Sequence, residues 1–191
     1  MKLEIIVSIL AALVFLTPEG YLILKDRNVG KGTTRQDRKT RLYNIIALEL
    51  ALCLSPVICW LPALRFAGFQ TPGVFLAGIV TMCLGFILRH WSIYVLGESF
   101  RTTIELEQDH KPVRTGPYKY IRHPAYSGII LFFIGYGLVA QNWLSLAAAL
   151  ILPTASLLYR IKIEEAAFVR GIGTEYREYQ SKTKKLIPII W

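Results

Sequence analysis

The densest run of chemically capable side chains is His110-Lys-Pro-Val-Arg-Thr-Gly-Pro-Tyr118-Lys-Tyr120-Ile-Arg122-His123-Pro124-Ala-Tyr126-Ser-Gly128. Gly116-Pro117 reads as a turn, and His123-Pro124 as a helix start, because proline at the first helical position gives up only an N–H that has no partner there. The N–H groups just beyond such a start form an anion site. Gly128, one turn further, lets a backbone or ligand come close. The same residue types also make an ordinary membrane-entry loop with aromatic and basic interface anchors.

A second group, Arg160, Glu164 and Glu165, lies where an apolar stretch gives way to a charged tail. Arg160 and Glu164 are four residues apart and share one face of a helix. They form either a plain surface ion pair or, if they face a bundle interior, a functional pair. The tail segment Gly173-Thr-Glu175-Tyr176-Arg-Glu-Tyr179 alternates charge and tyrosine and predicts a further helix. Leu186–Trp191 is apolar and predicts a return to the membrane interface. A metal centre is not expected, because the three histidines, His90, His110 and His123, lack a ligand set at suitable spacing. Cys53, Cys59 and Cys83 sit in apolar runs and read as small core hydrophobes rather than a disulfide framework. Dinucleotide-loop, Walker A, HExxH and GxSxG motifs are absent from the sequence.

The elements that must position these residues are membrane helices. The 191-residue chain is 53% hydrophobic, and its mean hydropathy is +0.42. The apolar residues are concentrated in runs of bilayer-spanning length. Spans are predicted at Leu3–Leu24, Leu42–Leu64 and Pro72–Leu96. Pro18, Glu19 and Gly20 interrupt the first, which predicts a kink or an opening onto a polar interior. No cleavable signal peptide is expected there, the run being too long for one. The stretch Pro124–Tyr159 is long for one span and short for two, with Gln141-Asn142-Trp143 near its middle.

Charge decides in favour of a hairpin. Segments 25–41, 98–124 and 160–191 hold seven, five and seven Lys+Arg, 19 of the 22, and a hairpin puts all three on one side. Basic loops face the cytoplasm. The expectation is therefore an all-α integral membrane protein of five transmembrane helices, the last two a helical hairpin. Its N-terminus is outside, and a cytoplasmic cofactor pocket is formed by the C-terminal half. Residues 1–97 form a three-span anchor and residues 98–191 the catalytic region. The net charge of +9 suits anionic lipid headgroups, and nothing in the pattern suggests nucleic acid.

Gly116-Pro-Tyr118, Arg122-His-Pro-Ala-Tyr126-Ser-Gly128, Glu164-Glu165, Gly173-Thr-Glu-Tyr176-Arg-Glu-Tyr179 and Pro188, in that order, closely resemble the isoprenylcysteine carboxyl methyltransferase family. The resemblance covers about residues 98–191. It implies S-adenosylmethionine as methyl donor and, as acceptor, a lipid-linked carboxylate on a small molecule or a protein C-terminus. By motif, His110, Lys111, Pro112, Val113, Tyr118, His123, Pro124, Ala125, Tyr126 and Glu164 would bind the donor. Arg160 would hold the acceptor carboxylate, so Arg160 and Glu164 carry the catalytic assignment. Thr103 falls where the family often has Gln, and Glu165 receives no role.

The chemistry suits these residue types. A carboxylate is already ionised at pH 7, so in-line methyl transfer rests on proximity and alignment. Glu164 can accept from the donor's ammonium, and a planar Arg fork matches a carboxylate. Membrane phospholipid or other amine N-methyltransferases share the layout more loosely and form the nearest alternative. A nicotinamide-dependent (NADPH) membrane reductase is a more distant one.

Overall fold

The computed structural model describes residues 2–26, 35–59, 70–97, 100 and 112–188. Five long or apolar helices run in chain order: α1 (Lys2–Asp26), α2 (Arg35–Cys59), α3 (Pro72–Leu96), α4 (Pro124–Val139) and α5 (Trp143–Gly171). A short 3₁₀ turn, Gly116–Lys119, precedes α4, and α6 (Thr174–Lys182) follows α5. Among the described residues, four segments are long and apolar enough to cross a membrane: Leu3–Leu22, Lys39–Ile58, Pro72–Leu96 and Trp143–Gly171. The sixteen residues of α4 rise about 24 Å, short of the ~30 Å hydrocarbon core.

The expected boundaries hold where capping residues bracket a helix. Thr71 accepts from the Val74 N–H at the start of α3, and Gly97, at φ +53°, ends it with its N–H on the Ile93 and Tyr94 carbonyls. They move where hydropathy alone set them. The helix of the second span begins at Arg35, inside the stretch read as a polar loop, because backbone hydrogen bonding continues past the membrane boundary. α5 runs unbroken to Gly171, carrying Arg160, Glu164 and Glu165 on one rod.

The polar break at Gln141-Asn142 is the hairpin turn. Gln141 takes a positive φ of 50° and its side-chain amide donates to the Thr71 carbonyl at 2.6 Å. Asn142 caps α5, accepting from the Leu144 N–H at 2.9 Å and the Ser145 N–H at 3.3 Å.

α3 and α4 pack backbone to backbone. A Cβ on Gly128 would lie 2.6 Å from the Arg89 nitrogen, and one on Gly78 would lie 2.8 Å from the Val139 nitrogen. Small residues at such a crossing bring two membrane helices together without a hydrophobic driving force. Phe15 of α1 stacks on Phe132 of α4 at 4.6 Å, and the Tyr136 hydroxyl donates to the Leu52 carbonyl of α2 at 2.8 Å. α2 and α5 are joined by Ser156 to Asn44 at 2.9 Å and Ser145 to the Ser55 carbonyl at 3.1 Å. Cys53 and Cys83, expected in the core, are exposed instead, on helix faces shared with outward Leu and Ile residues such as Leu50, Leu54, Leu84 and Ile87.

The C-terminal tail folds back onto the segment before α4. Ile121 and Lys184 form a parallel bridge. The Arg122 N–H donates to the Lys184 carbonyl at 2.7 Å and the His123 N–H to the Lys185 carbonyl at 3.0 Å. The Ser127 hydroxyl donates to the Leu186 carbonyl at 2.7 Å. Leu186 is buried and packs on protein, whereas Ile187 is exposed; residues 189–191 of the stretch expected at the interface lie outside the described residues.

Candidate active site

The start of α4 brings together three of the side chains singled out in the sequence. The Tyr126 hydroxyl donates to Glu164 Oε2 at 2.7 Å and accepts from Arg160 Nε at 3.1 Å. Arg160 and Glu164 do share one face of α5, and Tyr126 stands between them as a shared hydrogen-bond partner. The other edge of Arg160 turns to α2: Nη1 lies 3.3 Å from Asp37 Oδ1 and 3.4 Å from Thr40 Oγ1. Arg160 is thus not part of a plain surface pair; it is 4% exposed and Asp37 is 1% exposed.

His123 is buried. Its ring lies 5.5 Å from that of Tyr126 and nearly parallel, at 7°, and its Nε2 lies 3.3 Å from Glu165 Oε1. Glu165 also accepts from Arg122 Nε at 2.8 Å, and Lys185 Nζ stands 3.9 Å from its other oxygen. Arg122 reaches on to the Gln180 carbonyl at 3.1 Å and to the Thr183 carbonyl. Glu165, which the sequence left without a role, is therefore a junction joining the segment before α4, α5 and the tail.

Tyr118 is buried in the 3₁₀ turn, and its carbonyl accepts from the Tyr179 hydroxyl at 2.7 Å. Burial, then the Glu164 carboxylate, raise the Tyr118 phenol well above its usual range. Burial likewise raises Tyr179 to about 12, so both stay protonated donors. Pro112 and Val113 are half-buried, outside any helix or strand, and Pro124 and Ala125 are buried. His110, Lys111 and Thr103 lie outside the described residues.

The expected anion site at the α4 start is largely occupied by the chain itself. The N–H groups of Tyr126 and Ser127 both donate to the His123 carbonyl at 3.0 Å. The Ala125 carbonyl is in turn within 3.4 Å of Arg89 Nη1. Arg89 is a buried cation of α3 whose Nη2 donates to Glu19 Oε2 of α1 at 2.6 Å, which accounts for the polar interruption in the first span.

Beside Arg160 and Tyr126 opens a cavity of about 220 Å³. Its apolar wall is Phe15, Leu16, Ile45, Leu48 and Ile129. Its polar wall is Glu19, Arg41, Asn44, Glu49 and Arg89, with Tyr126 and Arg160 at one end. Sequence reasoning missed Asp37, Thr40, Arg41 and Asn44. The signal was available: positions 37, 40, 41, 44 and 48 recur at helical spacing along α2, a polar stripe running into an apolar helix. Among the described residues no group of three His, Cys, Asp or Glu side chains could hold a metal ion.

The chain is similar to known proteins. Residues 77–170 match the isoprenylcysteine carboxyl methyltransferase family. The chain is 28% identical over 183 residues to protein-S-isoprenylcysteine O-methyltransferase B of Arabidopsis thaliana, covering 95% of this chain and 91% of that one. It is 31% identical over 115 residues to a probable protein-S-isoprenylcysteine O-methyltransferase of Oryza sativa subsp. indica, covering 59% of this chain and 60% of that protein. The chain thus spans about three fifths of the rice relative's length. Among solved structures, a eukaryotic intramembrane Ras methyltransferase, isoprenylcysteine carboxyl methyltransferase, superposes with a TM-score of 0.55 at 25% identity, over 82% of this chain and 53% of that one. That neighbour and the long apolar helices make this a multi-pass membrane protein. The matched stretch contains α4, the shared tyrosine and both glutamates of α5, and over residues 77–170 this chain is similar to the isoprenylcysteine carboxyl methyltransferase family.

Proposed function

We propose that this protein methylates the carboxylate of a lipid-linked, isoprenylcysteine-like acceptor at the membrane surface, with S-adenosylmethionine as donor. The observation that carries the reading is Tyr126, whose hydroxyl bridges Glu164 and Arg160 at the end of an amphipathic cavity. A carboxylate and a guanidinium held on either side of one hydroxyl suit two ligands of opposite charge meeting there. The residues present fit the donor: Glu164 is an acceptor for an ammonium, and the parallel His123 and Tyr126 rings offer flat surfaces beside it. When bound, the donor supplies an electrophilic methyl group on a sulfonium.

The chain's own residues supply alignment. Arg160 presents a planar fork to the acceptor carboxylate, and Tyr126 Oη fixes its Nε edge. Phe15, Leu16, Ile45 and Leu48 give an apolar chain a dry path and keep water from the reacting carboxylate. A general base is unnecessary, because the nucleophile is already ionised. Most of the rate advantage then comes from holding donor and acceptor in line.

In this reading all five long helices cross the bilayer, with segments 25–41, 98–124 and 160–191 and the donor pocket on the cytoplasmic side, as the charge partition requires. Residues 98–191 carry the chemistry and residues 1–97 the anchor, with α1 and α2 of the anchor also lining the acceptor path. The test is a methyl-transfer assay with labelled donor and purified protein in detergent. An S-farnesylated cysteine mimic should be methylated and a phosphatidylethanolamine not. Methylation of the amine lipid alone would move the protein to the amine methyltransferases, and binding of NADPH in place of S-adenosylhomocysteine would move it to the reductases.

A further inference from the structure

The Arg160 guanidinium already has an anionic partner. Asp37, in the first turn of α2, stands 3.3 Å from Arg160 Nη1, with side chains only 2% and 5% exposed respectively. Thr40, one turn on, accepts from the same nitrogen at 3.4 Å and donates to the Asp37 carbonyl at 2.9 Å. The next turn of α2 supplies Arg41 and Asn44 to the wall of the cavity that Arg160 itself lines. Of the pair, Arg160 lines that cavity, and Asp37 holds it from the turn of α2 before Arg41 and Asn44.

An acid at a helix start commonly does no more than complement the helix dipole. Asp37 does more, because it faces Arg160, the guanidinium assigned to the acceptor carboxylate in a cavity that Arg41 and Arg89 also line. Two carboxylates beside one buried cation repel each other strongly, since the surroundings screen poorly.

We propose that Asp37 is a positioning residue that acts through Arg160 as a resident counter-anion and sets how tightly the site takes a carboxylate acceptor. The inference rests on the reading that Arg160 holds that acceptor. With the site empty, Asp37 keeps the buried guanidinium paired, and a buried cation without a partner is strongly unfavourable. An arriving carboxylate competes with Asp37 for it. Methyl transfer turns the acceptor into a neutral ester, which no longer competes, and Asp37 regains the guanidinium. The pair thus favours release of product over retention. Affinity for the acceptor is lower than Arg160 alone would give, and discrimination between acid and ester is correspondingly set by Asp37.

The experiment is steady-state kinetics on the full chain in detergent, with donor and a farnesylated cysteine mimic varied separately and the mimic's methyl ester as product inhibitor. Folding is checked by melting temperature and S-adenosylhomocysteine binding. Asp37→Asn should lower acceptor KM about 10-fold while donor KM and the inhibition constant of the neutral ester stay at wild-type values. Asp37→Glu carries the carboxylate one methylene further over the guanidinium and should raise acceptor KM, a direction that decides the matter even if the Asn variant does not fold. Acceptor KM unchanged or raised in Asp37→Asn, or unchanged or lowered in Asp37→Glu, overturns the proposal. Arg160→Lys is the control for its basis. If it raises acceptor KM while the Asp37 variants fail, only the counter-anion role falls; if it leaves acceptor KM at the wild-type value, the acceptor assignment of Arg160 falls with it.

Discussion

Tyr126 donates to Glu164 at 2.7 Å while its own oxygen accepts from Arg160 at 3.1 Å, so one phenol couples the two charged groups proposed to hold donor and acceptor. Tyr126→Phe keeps the ring, and with it the parallel contact to His123, and removes only the coupling. A hydrogen bond to a charged group contributes about 1.5–3 kcal/mol. The KM values for donor and acceptor should therefore both rise, by about 10-fold or more. Kinetics with each substrate varied in turn checks it, and a rise in one alone would show that the hydroxyl serves a single ligand.

Glu164 and Arg160 should separate cleanly. Glu164→Gln removes the anion proposed to face the donor's ammonium and should raise donor KM. Arg160→Lys keeps the charge, loses the planar fork, and should act mainly on the acceptor. Isothermal binding of S-adenosylhomocysteine should weaken in the first variant and hold in the second; the reverse pattern would exchange the two roles.

Breaking the Glu165 junction should cost stability as well as activity. The Arg122 and Glu165 side chains are 8% and 12% exposed, and removing one partner of a buried pair costs about 3–5 kcal/mol. Arg122→Ala should lower the melting temperature in detergent by several degrees and release the tail to limited proteolysis after α6. A melting curve that superimposes on wild type would mean that the backbone bridge at Ile121 and Lys184 holds the tail without it.

The α3–α4 crossing predicts a second stability effect with a different cause. Gly128→Ala puts a methyl group 2.6 Å from the Arg89 nitrogen, which forces the two helices apart. Arg89 would move with its backbone, disturbing its pairing with Glu19. The variant should melt earlier and bind S-adenosylhomocysteine more weakly, whereas Gly20→Ala, with open space around it, should do neither.

Single cysteines at Lys119, Lys182 and Trp143, in a background without the three native cysteines, test the topology. All three positions are exposed. Lys119→Cys and Lys182→Cys should react from the cytoplasmic side, and Trp143→Cys from the other. Labelling of positions 143 and 182 from the same side would remove the hairpin from the membrane.

The sequence made the helices legible and left most of their cross-links hidden, for physical reasons that differ by residue. Pro72 and Gly97 could be read as the ends of α3 because caps are local chemistry. The Gln141-Asn142 break could be read as a turn because a polar pair inside an apolar run needs a use for its side chains, here the Thr71 carbonyl and the α5 cap. The start of α2 was misplaced by hydropathy, which sees the membrane and not the helix. Asp37 and Arg160 are paired across most of the chain, and no local pattern announces such a partnership. The bridge between Ile121 and Lys184 is a single pair, too short to leave the alternation that marks a strand. The relation of Arg160 to Glu164 was half legible: their shared face follows from spacing, but the tyrosine between them comes from α4.

The bridge at Lys184 also bears on biosynthesis. Arg122, His123 and Ser127 are held by the carbonyls of Lys184, Lys185 and Leu186, residues synthesised last among those that shape the site. All five long helices precede them in the chain and can be made without them. A nascent chain or premature-stop product ending at α6 would have every long helix yet lack the clasp that holds the start of α4 in register. Activity should therefore appear only once residues 184–186 have been made, after the membrane helices have formed.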